Sequence, residues 1–343
     1  MHYSKVTSLN GKSPVDIEAF INGLNLRLLI VYSTEGLEFI DPINYDLVFK
    51  KSGFYHFRIF NQRLFLNIGN EIKEFKLSDL DANSTLCRTE EQNITILNLK
   101  FSIGKTSQRK PRIKRGEIIN NSDNKVIYKW SDERIVVTFV NDYPLFETSD
   151  KKLILLNIDN EKELWNIKLD NGSFGQRILG QTEDVFFLQR AVSKPNLFNV
   201  LALEKSTGKI IWETENTHPY YCFDEVNDKL YGLGDKRFEV ISTLTGEKAL
   251  ITQLDVNVFI SSHLTYYSDG FLYFSSHLDN NIPVFGAVNV KSGKLEFIQE
   301  LKIEGEKSFR IGLEKPIVVG NRLYVKDSLN TLHIFEKDQN ATT

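Results

Sequence analysis

An all-β fold assembled from copies of one small unit is what this sequence predicts, and three observations predict it. The first is a repeat. Leu201-Ala202-Leu203-Glu204-Lys205-Ser206-Thr207-Gly208-Lys209-Ile210-Ile211-Trp212 reads as strand, tight turn and strand. Weaker copies run through Leu156 to Trp165, Val240 to Leu250 and Val288 to Phe297. The second is a recurring hairpin signal. Asn61-Gln62-Arg63, Asn227-Asp228-Lys229, Ser268-Asp269-Gly270 and Gly320-Asn321-Arg322 each lead into apolar and aromatic residues. Asn, Asp and Gly tolerate the left-handed backbone that a tight turn requires. The third is an absence: no stretch keeps a helical period over about 11 residues. Only Ser13-Pro14-Val15-Asp16 offers a cap for one short helix.

The spacing of the copies decides the architecture. Trp165 to Trp212 is 47 residues, Gly208 to Gly246 is 38, and Gly246 to Gly293 is 47. Four strands per unit at a spacing of roughly 40 residues is the signature of a β-propeller blade, so a single closed propeller is expected. With strands A to D counted outward from the axis, the D strands centre on Phe49, Leu86, Trp130, Trp165, Trp212, Leu250 and Phe297. The C-terminal segment supplies three more strands, ending at Thr331-Leu332-His333-Ile334-Phe335. Tyr3 to Leu9 is a lone strand without partners nearby in sequence. Placed as the missing outer strand, it removes the long unpaired edge that an open ring would expose. The expectation is one domain over residues 1–343, with 1–12 as the closing strand and eight blades favoured over seven. Residues 89–131 are the weakest blade, or an insertion that lowers the count to seven, because their first two strands are poorly marked.

Composition excludes several classes. The chain of 343 residues is 41% hydrophobic and 12% aromatic, ample for a packed core and contrary to disorder. A net charge of −3 gives no bulk attraction to nucleic acid or membrane. Cys87 and Cys222 are too few for a disulfide framework and form no zinc-type pair. The start, Met1 to Val6, has no apolar run of a secretory signal. The run Leu24 to Tyr32 is interrupted by Arg27 and is far short of the roughly 18 residues of a membrane span. A cytoplasmic location is therefore expected, and the Asn-, Lys- and Ile-rich composition looks bacterial.

The pattern Leu201-Ala202-Leu203, a polar turn ending in Thr207-Gly208-Lys209, two apolar residues and Trp212 resembles the tryptophan-docking repeat of quinoprotein (PQQ-like) β-propellers. The resemblance implies that Trp212 packs between neighbouring blades while the turn glycine reverses the chain without a Cβ clash. Neither a WD dipeptide nor a Gly-Gly doublet supports the WD40 or kelch patterns. Enzymes of the resembling family are longer, exported, and hold quinone and calcium through dedicated residues. This chain has no adjacent cysteine pair and no assignable carboxylate-Asn-Asp constellation, so a non-catalytic member without cofactor is expected. The family's outer-membrane assembly lipoprotein needs a lipidated Cys, which is missing near the start.

Candidate partner-binding residues fall on one side of each blade. The long, irregular connections are B–C or D–A, among them Arg190 to Leu197, Thr214 to Tyr220, Val256 to His263 and His277 to Pro283. Arg190 and His277 stand at the start of two of them. Loops displayed by a rigid scaffold carry function. Lys105 to Arg115 has six basic residues in eleven and no acidic one. Its Arg109, Lys110, Arg112, Lys114 and Arg115 would steer an acidic partner, or would simply be a solvated loop. No interleaved aromatics favour nucleic acid. His218, Tyr220 and Tyr221, and His263, Tyr266 and Tyr267, enter successive A strands. They are either anchors at the central mouth or ordinary core, since aromatics alternating on an inner strand do both.

The six histidines show no zinc spacing, and nucleophile, P-loop and dinucleotide motifs are missing. The leading expectation is a non-catalytic scaffold that binds another protein of acidic surface through the D–A and B–C side. A toxin-neutralising immunity protein or an assembly subunit are narrower forms of it. Oligomeric state stays open, with a monomer favoured. The alternative is an enzyme or sensor holding a small ligand or glycan in the central channel.

Overall fold

The computed structural model describes residues 3–9, 29–33, 36–40, 47–52, 56–60, 63–68, 71–76, 93–96, 101–106, 115–120 and most of 125–338, with side chains from Gly116 onward. All described regular structure is β: thirty strands in eight antiparallel sheets. The expected cap at Ser13 and the strand centred on Leu86 lie outside the described residues. Backbone contacts divide the chain into two compact units, residues 12–170 and residues 1–11 with 171–343.

The first unit holds four sheets. Two have three described strands: Leu29–Ser33, Gly36–Ile40 and Leu47–Ser52 (β2–β4), then His56–Phe60, Arg63–Ile68 and Glu71–Lys76 (β5–β7). The third sheet is Asn93–Ile96, Phe101–Thr106, Arg115–Asn120 and Val126–Trp130 (β8–β11). The weakly marked segment thus forms a complete four-stranded sheet. The fourth is Ile135–Val140, Tyr143–Glu147, Lys152–Asn157 and Lys162–Lys168 (β12–β15). Trp130 sits directly over Gly116, where a Cβ would come within 2.1 Å of the indole. Its indole N–H donates to the Arg134 carbonyl at 3.0 Å, and its ring meets Phe146 of the fourth sheet edge-on at 5.3 Å.

The second unit holds the remaining four. The fifth sheet is Arg177–Gln181, Val185–Ala191, Phe198–Glu204 and Ile210–Thr217 (β16–β19). The sixth is Tyr221–Asp224, Lys229–Gly234, Arg237–Ser242 and Lys248–Gln253 (β20–β23). The seventh is Thr265–Ser268, Phe271–His277, Pro283–Asn289 and Leu295–Glu300 (β24–β27). The eighth is Ile317–Val319, Arg322–Lys326 and Leu332–Lys337 (β28–β30), completed by Tyr3–Leu9 (β1). The N-terminal strand is the outer strand of the last sheet, as expected, with Tyr3 opposite Lys337 and Leu9 opposite Leu332.

Strand chemistry follows position. The middle strands are apolar on both faces, because a sheet packs on each side of them. Phe186, Phe187 and Leu188, with Val200, Leu201, Ala202 and Leu203, are at most 1% exposed. The outer strands meet solvent on one face and alternate, as β23 does along its length. Core clusters bridge sheets. Phe187, Val200 and Ala202 of the fifth sheet pack with Tyr221, Leu230 and Ile241 of the sixth. Tyr231, Phe238 and Val240 pack in turn with Leu272, Phe274 and Val288 of the seventh.

One turn is reused in three consecutive sheets. The Gly208, Gly246 and Gly293 amides donate to the carbonyls of Glu204, Ser242 and Asn289 at 2.8, 2.9 and 2.8 Å. All three glycines have positive φ. Each C–D pair carries a bulge at the matching place, at Ala202/Leu203, Val240/Ile241 and Ala287/Val288. The turn of one sheet receives the outer strand of the sheet before it. Trp212 lies against Gly246, its indole N–H donates to the Thr243 carbonyl at 3.0 Å, and Thr214 Oγ1 donates to the Gly246 carbonyl at 2.5 Å. Gly293 meets Thr252 and Leu250 in the same way one sheet further on.

In the eighth sheet the B–C turn is organised by Asp327. Its Oδ1 accepts the amides of Leu329 and Thr331 at 2.9 and 3.0 Å, and its Oδ2 is 2.7 Å from His333 Nε2. Asp327 is 0% exposed and His333 3%. Burial opposes ionisation of this carboxyl, but the His333 bond and the two amides prevail and hold it below the ordinary carboxylate range.

Three substitutions test these contacts. Gly270 has φ +81° with open space around it, so Gly270→Ala should lose only the left-handed backbone penalty, about 1 kcal/mol. Gly246→Ala should lose a further ~1–3 kcal/mol from overpacking against Trp212, read by urea unfolding of both variants. A carboxyl depressed in the folded state stabilises it above the ordinary pKa, and the contribution fades as pH falls through the depressed value. Asp327→Asn should therefore cost about 1–3 kcal/mol near neutrality, with the difference from the parent shrinking as pH falls below the ordinary aspartate pKa of about 3.9 in the same measurement.

Candidate functional site

The two ends of each sheet differ. In the four-stranded sheets no A–B or C–D connection exceeds five residues. These turns are locked by backbone bonds and by left-handed residues such as Asn141, Asp142, Glu161, Asp228 and Asp269. The opposite end carries the D–A and B–C connections. In the second unit these include 192–197, 254–264 and 301–316, and in the first unit 107–114. Not every one is long: 148–151 and 235–236 are tight B–C turns, with left-handed Lys151 and Lys236.

The long connections of the second unit have rigid roots. Leu254, Val258 and Leu264 are buried in the core between the sixth and seventh sheets. The connection 301–316 is tied at both ends. The Leu301 amide donates to the Pro283 carbonyl at 2.9 Å, and Ser275 Oγ donates to the Glu314 carbonyl at 2.6 Å. Lys326 Nζ closes on Glu314 Oε1 at 2.8 Å.

Charge is organised at this end as well. Arg190, at the end of β17, pairs with Glu213 at 2.5 Å, and Asn199 donates to the same carboxylate oxygen at 2.6 Å. Glu239 is 0% exposed in the middle of β22. The Tyr221 hydroxyl donates to it across Gly232, where a Cβ would come within 2.7 Å of the Tyr221 ring. Arg237 and Lys248 lie 3.4 and 3.6 Å from its other oxygen. A carboxylate this deep is tolerated only with such partners. Glu239 is a feature that the partner-residue reading missed. Its signal is a carboxylate set between Phe238 and Val240 in the interior of a strand.

The described tyrosines differ in exposure, with Tyr221 buried and Tyr266 and Tyr267 partly exposed. Tyr221 is 3% exposed and packs between the fifth and sixth sheets, which removes it from any contact surface. Tyr267 packs against the core of the sixth and seventh sheets, with its ring 5.1 Å from Tyr231 and its hydroxyl accepting from Asn227 at 3.3 Å. Tyr266 packs towards the eighth sheet, with Lys315 Nζ 5.9 Å from its ring centre. The physical reason is the alternation itself. Successive side chains of an inner strand point to opposite sheet faces, and both faces are covered by neighbours. Burial raises the phenol pKa of Tyr231, Tyr266 and Tyr267, with Asp224 adding to it at Tyr231 and Tyr267, so these hydroxyls stay protonated.

His277 ends β25, half-buried, at the start of the connection to β26. Arg115 opens β10, and Arg109, Lys110, Arg112, Lys114, His218, Tyr220 and His263 lie outside the described residues. Among the described residues no group of His, Cys, Asp or Glu is placed to hold a metal ion.

No protein-family model matches the chain, and no curated protein matches it in sequence. Solved structures do. The chain is similar to the C-terminal WD40 domain of Sif2, at 10% identity and a TM-score of 0.60 over 98% of each chain. It is similar to Saccharomyces cerevisiae Sqt1, at 12% identity and a TM-score of 0.58 over 99% of this chain and 100% of that one. A looser likeness, at 11% identity and a TM-score of 0.41, covers 98% of this chain and 100% of BamB from Moraxella catarrhalis. With the blade-like sheets, their repeated C–D turns and the completing N-terminal strand, the first two matches establish that this chain has the β-propeller fold.

Proposed function

We propose that this chain is a non-catalytic β-propeller scaffold that binds another protein through its D–A and B–C connections. The observation that carries the reading is the asymmetry between the two ends. One end is closed by short turns with fixed hydrogen bonds, while the other carries every connection longer than five residues in the four-stranded sheets. Roots such as Leu254, Val258 and Leu301 are buried, so the connections are presented from a rigid base. Pre-positioning of this kind lowers the ordering entropy lost on binding.

The docking of Trp212 on the Gly246 turn of the next sheet supports a place among the PQQ-like repeats as a non-catalytic member. The basic stretch runs from Lys105 near the end of β9 to Arg115 at the start of β10 and so spans the connection 107–114 between the second and third strands of its sheet. It suits an acidic partner surface, raising the association rate more than the final affinity. In a bacterial cytoplasm such a surface fits a toxin-neutralising immunity protein or one subunit of an assembly.

The test is capture of partners from the native cell by the parent chain and by a variant with Arg109, Lys110, Arg112, Lys114 and Arg115 changed to Glu. Mass spectrometry should find one acidic protein with the parent and lose it with the variant. Recovery of no protein, together with a small molecule retained through purification, would replace this reading by the channel-ligand one.

A further inference from the structure

The tight-turn end of the fifth and sixth sheets carries a second surface, which rests on no part of the loop-bearing reading. Among the described residues the two most exposed large hydrophobic side chains are Val226, at 90%, and Leu244, at 71%. Both belong to the sixth sheet, Val226 in its A–B turn and Leu244 in its C–D turn. The Thr243 amide donates to the Asp228 carbonyl at 3.0 Å, which ties the two turns together.

The repeat shows that these apolar residues are not needed for the turn. The same tie joins Lys205 to Asp184 at 2.8 Å in the fifth sheet and Val290 to Gly270 at 3.0 Å in the seventh. There the place of Leu244 is taken by Ser206 and by Lys291, and the A–B turns are Glu183-Asp184 and Asp269-Gly270. Polar tips therefore build the same turn, and of these three sheets only the sixth presents apolar ones.

Both tips are held firmly. Asp224 accepts the Asn227 amide at 3.3 Å and its side-chain amide at 2.7 Å, and Tyr231 donates to the same carboxylate at 3.0 Å. Gly246 and Glu247 are fixed by bonds to Ser242. The surroundings are acidic. The turns 182–184, 205–209, 225–228 and 243–247 carry five carboxylates, Glu183, Asp184, Glu225, Asp228 and Glu247, against two lysines, Lys205 and Lys209. Lys205 is only 7% exposed and sits in the field of Glu183, Asp184 and Glu225, so its charge is largely spent inside the cluster. In the seventh sheet the balance reverses, with Asp269 against Lys291 and Lys294.

We infer that Val226 and Leu244, with Glu225 and Glu247 in the same turns and Glu183 and Asp184 in the A–B turn of the neighbouring sheet, form a docking site for a protein segment that combines apolar side chains with Lys or Arg. The apolar pair supplies buried area and the carboxylates select a basic segment over an acidic one.

The experiment uses the full chain and two short fluorescent peptides, one of alternating leucine and lysine, the other of alternating leucine and glutamate. Fluorescence anisotropy should show binding of the first and none of the second, with the affinity falling as salt rises. Leu244→Ser copies Ser206 of the fifth sheet and Val226→Ser trims a side chain that is 90% exposed, so the double variant keeps the fold and should weaken binding roughly tenfold. Glu183→Gln, Asp184→Asn and Glu225→Gln together should weaken it similarly and flatten the salt dependence. Equal binding of both peptides, or an unchanged affinity of the serine double variant, would overturn the inference.

Discussion

The seating of an outer strand on the next sheet's C–D turn is the contact on which the rest of the second unit depends. Trp212 can lie flat there only because Gly246 has no Cβ, and it adds an indole hydrogen bond to Thr243. Sheets in a propeller have little backbone bonding between them, so register from sheet to sheet must come from side chains meeting turns. A glycine at positive φ meets both demands at once: it reverses the chain and leaves a flat seat. Gly293 repeats the arrangement with the smaller Thr252 and Leu250, which explains why the pattern survives where the tryptophan does not.

That requirement also explains what was legible in the sequence. Turn glycines, the alternation of outer strands and the apolar runs of inner ones are local consequences of position, and each leaves a local mark. Leu201 to Trp212 therefore announced its own strand, turn and docking residue. The pairing of Tyr3–Leu9 with Leu332–Lys337 was legible only by elimination, because each partner needed the other. The segment 89–131 was poorly marked, yet it folds as a four-stranded sheet, since β-sheet pairing tolerates weak propensity when neighbours supply the burial.

Other features were hidden because they depend on distant residues. Nothing local says that Glu239 is buried against Tyr221 and Lys248, which come from β20 and β23 and meet it only through the sheet, and only Arg237, two residues back on the same strand, is a local partner. Tyr221, Tyr266 and Tyr267 carried two readings, anchor and core; Tyr221 is buried between sheets, while Tyr266 and Tyr267 pack against the cores and stay partly exposed. The asymmetry between tight and long connections was legible because connection length is a property of the sequence itself. The exposure of Val226 and Leu244 was not, since an apolar residue in a turn looks the same whether covered or bare.

The pairing of the first and last strands carries a kinetic consequence. Loop-closure entropy grows only slowly with separation, so the contact is not prohibitive at equilibrium. Its contact order is nonetheless close to the maximum for the chain, and contacts of that kind form late. During synthesis β1 emerges well before β30 and must wait for it, which leaves a strand edge open to pairing with other chains in the interval. A holding chaperone, or slow elongation through the final sheets, would act on that interval rather than on the finished fold.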